Sequence, residues 1–187
     1  MKKILAFISI IVVVGMLASC GNDEATTEPK SKPKPKTCEQ IEPCKIALQY
    51  ATYIEQGAED KAYKMETEDE NLKSYESLSV AKEYVANDYE KYQHHKIKNY
   101  GVLEYKVIPE KRYVYKFRFA DFRTGEVKNS TVGISKKKEN YFTNAYVGGA
   151  LKSDITHNGV IAKYKKYYST GLTKQEKDVL TPNPIEK

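Results

Sequence analysis

Apolar and polar positions divide the chain into four stretches with different rhythms. Residues 4–16 form a continuous apolar run apart from Ser9, and residues 21–37 hold no apolar side chain beyond Ala25. From Cys44 to Tyr92 apolar residues return at helical spacing, and from Ile97 to Val147 the period falls to two. The helical part predicts three elements. Cys44 to Gly57 (CKIALQYATYIEQG) sets Ala47, Tyr50, Ala51 and Ile54 on one face, and Gly57 supplies the stop. Ala58 to Glu66 predicts a short second helix with Ala62, Tyr63 and Met65 inward and Glu59 and Asp60 in its first turn, where the helix dipole favours acids. Ser77 to Tyr92 predicts a third, striped by Leu78, Ala81, Val85 and Tyr89 and capped by Ser77 or Ser79.

The period-two part predicts four strands: Ile97–Val107, Tyr113–Phe119, Val127–Ser135 and Tyr141–Val147. The turns between them are Pro109-Glu110-Lys111, the hairpin Arg123-Thr124-Gly125-Glu126, and Lys136 to Asn140. Together they predict an antiparallel meander with one apolar and one polar face. In the first strand the inward phase is read as Leu103, Tyr105 and Val107, after Val102. Beyond Gly148-Gly149 the pattern weakens. Ala150 to Asn158 reads as a helical turn or loop, Ile161–Tyr168 (IAKYKKYY) as a short amphipathic helix with a basic-aromatic face, and Thr181 onward, with Pro182 and Pro184, as a frayed tail.

The polar stretches change the picture from fold to compartment. Lys2 and Lys3 precede the apolar run, and Leu17-Ala18-Ser19-Cys20 closes it, the layout of a secretory signal peptide. The run is shorter than the roughly 20 apolar residues a transmembrane helix needs, and acidic Asp23 and Glu24 follow where a stop-transfer signal would be basic. Residues 21–37 (GNDEATTEPKSKPKPKT) read as an extended tether able to reach about 50 Å in polyproline II geometry. The formal net charge of +6 is spread over 31 basic and 25 acidic residues, too mild to argue for nucleic acid. Only Arg112, Arg118 and Arg123 are arginine, a bias toward Lys, Tyr, Asn and Ile expected of an AT-rich genome.

Candidate chemistry is sparse. Cys38 and Cys44 are an even pair suited to a disulfide in an oxidising compartment, two reduced thiols being the alternative. No His lies near them to complete a metal site. Glu66, Glu68, Asp69 and Glu70 lack the glycine and alternating spacing of a calcium loop. His94 and His95 point in different directions on a helix, and His157 is read in a loop. No G-x-S-x-G, H-E-x-x-H or phosphate-cradling glycine loop occurs. The expectation is therefore no catalytic residue, no metal and no cofactor.

The tetrapeptide Leu17-Ala18-Ser19-Cys20 resembles the lipobox of bacterial lipoproteins, here of a low-GC Gram-positive type. That resemblance implies cleavage before Cys20, lipidation of Cys20 and a place on the extracytoplasmic face of the cell membrane. Tyr53-Ile54-Glu55-Gln56-Gly57-Ala58-Glu59-Asp60-Lys61-Ala62-Tyr63, with Tyr113–Phe119, Thr124-Gly125 to Ile134 and Tyr141–Tyr146, resembles the helix-Gly-helix start and last three strands of the NTF2-like (cystatin-like) superfamily. The tryptophan often present on that superfamily's last strand is replaced by Tyr141-Phe142. The implied fold is α+β, N-terminal helices packed on a curved four-stranded antiparallel sheet. The expected organisation is a signal at 1–19, the lipidated Cys20 with its tether at 20–37, the domain at 38–170 and a tail at 171–187.

Two functions of different class follow. One is a non-catalytic interaction module with an envelope protein as partner, an accessory or exclusion component of a conjugative transfer system. The other is a small-ligand binder using the cone between helices and sheet, lined by Tyr50, Tyr53, Tyr113 and Tyr115. A further expectation concerns the leader itself, whose end (Val12 to Ser19) is chemically suited to release a hydrophobic pheromone.

Overall fold

The computed structural model describes residues 36–144, 155–157 and 160–185. The apolar leader, Cys20, the tether as far as residue 35, and residues 145–154 lie outside the described residues. Among the described residues no helix is long and apolar enough to cross a membrane.

The domain is α+β. Helix α1 (Glu42–Gln56) follows a 3-10 turn at Cys38–Gln40, has Pro43 in its first turn and ends at Gly57, whose φ of 74° is the left-handed conformation that suits glycine. Helix α2 (Glu59–Tyr63) is shorter than expected, because the chain turns at Lys64 so that Met65 and Thr67 can bond the backbone of Thr143. The third predicted helix is two, α3 (Leu78–Glu83) and α4 (Tyr89–Tyr92). Ser77 caps α3 by accepting from the Val80 N–H. The stripe does not continue, because the Ala86 N–H donates to the Gly57 carbonyl at 2.9 Å instead of to its own helix. Asp88 is held from outside by Arg123.

Strands β1 (Tyr100–Ile108), β2 (Arg112–Ala120), β3 (Val127–Lys137) and β4 (Asn140–Asn144) form the expected meander. After the two-residue strands β5 (Thr156–His157) and β6 (Val160–Ile161), which pair with each other, comes β7 (Tyr164–Tyr168). It pairs antiparallel with β1, so the sheet has five strands in the order β4-β3-β2-β1-β7 rather than four. The predicted amphipathic helix at Ile161–Tyr168 is thus the end of β6 followed by the edge strand β7. Without β7 the outer edge of β1 would present a row of backbone donors and acceptors, and a Tyr-rich segment with its lysines outward suits an edge.

The expectation of one polar sheet face is also corrected. Tyr100, Val102, Tyr115, Phe117, Val132 and Ile134 pack under α1 with Ala47, Tyr50 and Ala51. On the opposite face Leu103, Tyr105 and Val114 are buried with Ile155, against Ile161, Ala162 and Ile185. The C-terminal residues close this side as helix α5 (Lys174–Leu180), which starts in a Thr173–Glu176 capping box. Beyond α5 the predicted frayed tail is packed as far as Ile185: Thr181 meets the Tyr168 hydroxyl at 2.7 Å, and the Ile185 N–H donates to the Tyr105 hydroxyl at 2.8 Å.

Candidate functional site

The Cys38–Cys44 disulfide is formed, with both residues fully buried. It ties the 3-10 turn to the start of α1 and fixes the point at which the chain enters the domain. Cys20 lies outside the described residues. The four tyrosines proposed for the cone are brought together only in part. Tyr50, Tyr113 and Tyr115 belong to the buried cluster beneath α1, and Tyr53 packs half-buried against it. The Tyr50 hydroxyl donates to Glu66 at 2.8 Å, and that of Tyr115 to Glu104 at 3.0 Å. Both phenols are pushed upward, first by burial and then by the carboxylate beside each.

Glu66, Glu68 and Asp69 in the Glu66–Glu70 stretch have separate employment. Glu66 accepts from Tyr50 and from the backbone and hydroxyl of Ser74, Glu68 reaches Lys137 at 3.1 Å, and Asp69 caps Asn71. His95 lies between the rings of Tyr92 and Phe122, and its carbonyl accepts from Gln56. Arg123, on the hairpin between β2 and β3, forks onto Asp88 at 2.7 and 2.9 Å, reaches the Glu55 carbonyl at 2.5 Å and covers the Tyr92 ring. It locks the C-terminal end of α1, where the orphan carbonyls of the last turn lie. These contacts hold the scaffold together.

One side chain stands out from this pattern. Glu104 on β1 is 2 % exposed, and it projects into the same layer as Tyr100 and Val102, between Tyr115 of β2 and Lys165 of β7 in strand register. Its carboxylate accepts from Tyr115 at 3.0 Å and from Tyr167 at 3.4 Å, both neutral donors. Burial, followed by the charge of Glu104, pushes the Tyr167 hydroxyl up to about 12. Glu104 forms the floor of a cleft of about 260 Å³ walled by Ile41, Pro43, Tyr113, Tyr141 and Tyr167, with Lys36, Lys106 and Lys165 around it. A larger cleft of about 350 Å³ beside α1, lined by Glu39, Lys45, Gln49, Lys96 and Lys98, offers no comparable buried carboxylate, since Glu39 is exposed and the buried Thr52 hydroxyl already donates to the Leu48 carbonyl.

Sequence reasoning named Tyr113 but missed Glu104. The available signal was a carboxylate in the Tyr100-Val102-Glu104 phase of an apolar strand, a phase that would have to be recognised as inward. Compared with protein-family models, curated proteins and solved structures, the chain has no match in any of the three.

Proposed function

We propose that this chain is a lipid-anchored, extracytoplasmic lipoprotein of the cell membrane whose domain is a non-catalytic protein-interaction module of NTF2-like type. Its partner on this reading is an envelope protein, and the process is conjugative transfer, as an accessory or exclusion component. The observation that carries the proposal is the buried Cys38–Cys44 disulfide, standing where the Lys-Pro segment ends and the domain begins. Disulfides persist in oxidising compartments, which is where the leader and Cys20 would deliver the chain. Lipidation at Cys20 supplies the anchor, because a diacylglyceryl group contributes ~0.8 kcal/mol per buried CH₂. The β4 and β7 edges of the sheet are the contact surfaces, and Lys163, Tyr164, Lys165 and Lys166 on and beside β7 are exposed.

The test is metabolic labelling with palmitate, followed by fractionation and cross-linking in intact cells. Wild-type protein is expected to carry label, to sediment with membranes and to cross-link to an envelope protein, whereas Cys20→Ala loses the label. An unlabelled, cytoplasmic wild-type chain would overturn the lipoprotein reading. An unchanged mating frequency in both donor and recipient deletion strains would overturn the transfer assignment. The small-ligand reading is favoured by a different observation, the cleft over Glu104.

A further inference from the structure

A buried carboxylate is costly unless something compensates its charge. Glu104 has two neutral phenols and, among the described residues, no lysine or arginine in ion-pair contact. An ionised carboxylate offers about four acceptor sites, of which the two hydroxyls use two. The remaining capacity faces a cleft with aromatic walls at Tyr113, Tyr141 and Tyr167. Tyr113 and Tyr141 stand edge to face with centroids 6.3 Å apart, and rings so placed stabilise a cation brought near them.

The rest of the lining has the opposite sign. Lys36, Lys106 and Lys165 are all exposed, and Lys165 sits directly across from Glu104 in the β1–β7 register. A simple cation entering the cleft passes three like charges, and a simple anion reaching the floor meets a buried carboxylate. A ligand with a positive end inward and a negative end outward meets neither conflict. Hard divalent cations fit poorly, because the donors beside Glu104 are neutral phenols and such ions take six or more oxygens or retained waters.

We propose that the cleft over Glu104 binds a small zwitterion of the amino-acid class, its ammonium on the Glu104 carboxylate and its carboxylate among Lys36, Lys106 and Lys165. The ammonium donates to the Glu104 oxygens and completes the charge pair that Glu104 lacks among the described residues. Tyr113, Tyr141 and Tyr167 enclose the carbon skeleton, and Ile41 and Pro43 close the side nearest α1. The volume suits a free amino acid or a short peptide and excludes a large cofactor. This binding goes beyond the interaction role and does not depend on the anchor, so a Cys20→Ala chain is expected to bind equally well.

The experiment is ligand-observed NMR titration of the full chain in detergent with four probes: L-alanine, di-L-alanine, ethylammonium and propionate. Saturable binding is expected of L-alanine or di-L-alanine, about tenfold or more tighter than of either singly charged probe, as expected for one added charge-assisted contact. The two zwitterions separate a free amino acid from a peptide as the source. Glu104→Gln is expected to lose about tenfold in affinity while keeping the wild-type melting curve. The paired substitution Lys106→Gln/Lys165→Gln, at exposed positions, is expected to weaken the zwitterion and leave ethylammonium as strong or stronger. It keeps the test alive if Glu104→Gln fails to fold. Absence of saturation by both zwitterions, equal binding of a singly charged probe, or full affinity in Glu104→Gln each overturns the proposal. So does unchanged zwitterion binding in the paired lysine variant.

Discussion

Lys128 on β3 is the only described cation paired with the Glu55 carboxylate, and its removal is the sharpest test of how the helix is fastened to the sheet. Its Nζ lies 2.6 Å from Glu55 Oε1 and 2.6 Å from Asp121 Oδ2. Glu55, in the last turn of α1, is 4 % exposed, and among the described residues its Oε2 has no hydrogen-bond partner. Breaking a buried pair by deleting one member costs ~3–5 kcal/mol, because the other charge stays buried without compensation. The Lys128 side chain is 40 % exposed, so water can replace part of what it supplies. For Lys128→Ala the screened cost is about 2–3 kcal/mol, an order-of-magnitude figure.

Converting Glu55 to Gln in that background removes the charge that needs compensating. The double variant is therefore expected to recover about 1–2 kcal/mol relative to the sum of the single variants. Urea denaturation at pH 7 of the wild type, both single variants and the double variant gives the coupling directly. A Lys128→Ala chain within about 0.5 kcal/mol of wild type, or no coupling beyond the additivity error of about 0.3–0.5 kcal/mol, would refute the reasoning. The pH signs are separate. Hydrogen bonds from Lys128 and from the Thr124 and Arg123 backbone hold the Asp121 carboxyl well below the usual range, so its contribution is present above pH ~4 and lost as pH falls. Burial lowers the Lys128 ammonium, but its bonds to Asp121 and Glu55 outweigh that and raise it overall. Its contribution is complete below pH ~10 and lost on further rise through the raised value.

Three further outcomes are expected. Gly57→Ala forces a side chain onto a φ of 74° and sets its Cβ 2.3 Å from that of Ala86, so stability should fall by about 2–3 kcal/mol in thermal melts; a variant melting with wild type would show that the turn is pliable. Cys38→Ala/Cys44→Ala should lose roughly 2 kcal/mol through the unfolded chain, and identical melts of the wild type with and without reductant would contradict this. Burial raises the Glu59 carboxyl, with the Glu66 charge acting the same way and the Tyr75 hydroxyl opposing it, so the folded state favours the neutral form and stability falls as pH rises above ~4.3 through the raised value. Glu59→Gln is expected to abolish that part of the fall, and an unchanged pH profile would count against a raised Glu59.

The elements legible from the sequence were those that local rules decide. Gly57 stops α1 because a left-handed residue was needed there, and the Arg123–Glu126 hairpin forms where Asp121 accepts from the backbone of Arg123 and Thr124. The disulfide was legible from cysteine parity. Elements decided by distant partners were misread. The Ser77–Tyr92 pattern is helical by period, yet Gly57 and Arg123, remote in sequence, take the backbone and side chain that would have continued it. The segment IAKYKKYY satisfies a helical or a strand pattern equally well over so few residues, and the free edge of β1 decides between them.

Strand β1 explains why the candidate site itself escaped notice. A strand in a two-faced sheet is normally assigned one inward phase, and Leu103, Tyr105 and Val107 make a plausible one. Here both phases are inward, because α1 covers one face while Ile155, Ile161, Ala162 and Ile185 cover the other. Gly101 shows how closely this second layer approaches, since a Cβ there would lie 2.1 Å from the Leu180 carbonyl oxygen of α5. Gly101→Ala should therefore lift α5 and expose residues 170–185 to protease, whereas wild-type resistance would mean that the helix can reseat. Once the C-terminal segment is known to cover that face, the Tyr100-Val102-Glu104 phase has nowhere to point except beneath α1. A glutamate in that phase is then a charge placed deliberately in the core layer, at the end where the layer opens between Tyr113, Tyr141 and Tyr167. The chemistry at Glu104 thus depends on the packing of residues 155–185, the part of the chain whose pattern was weakest.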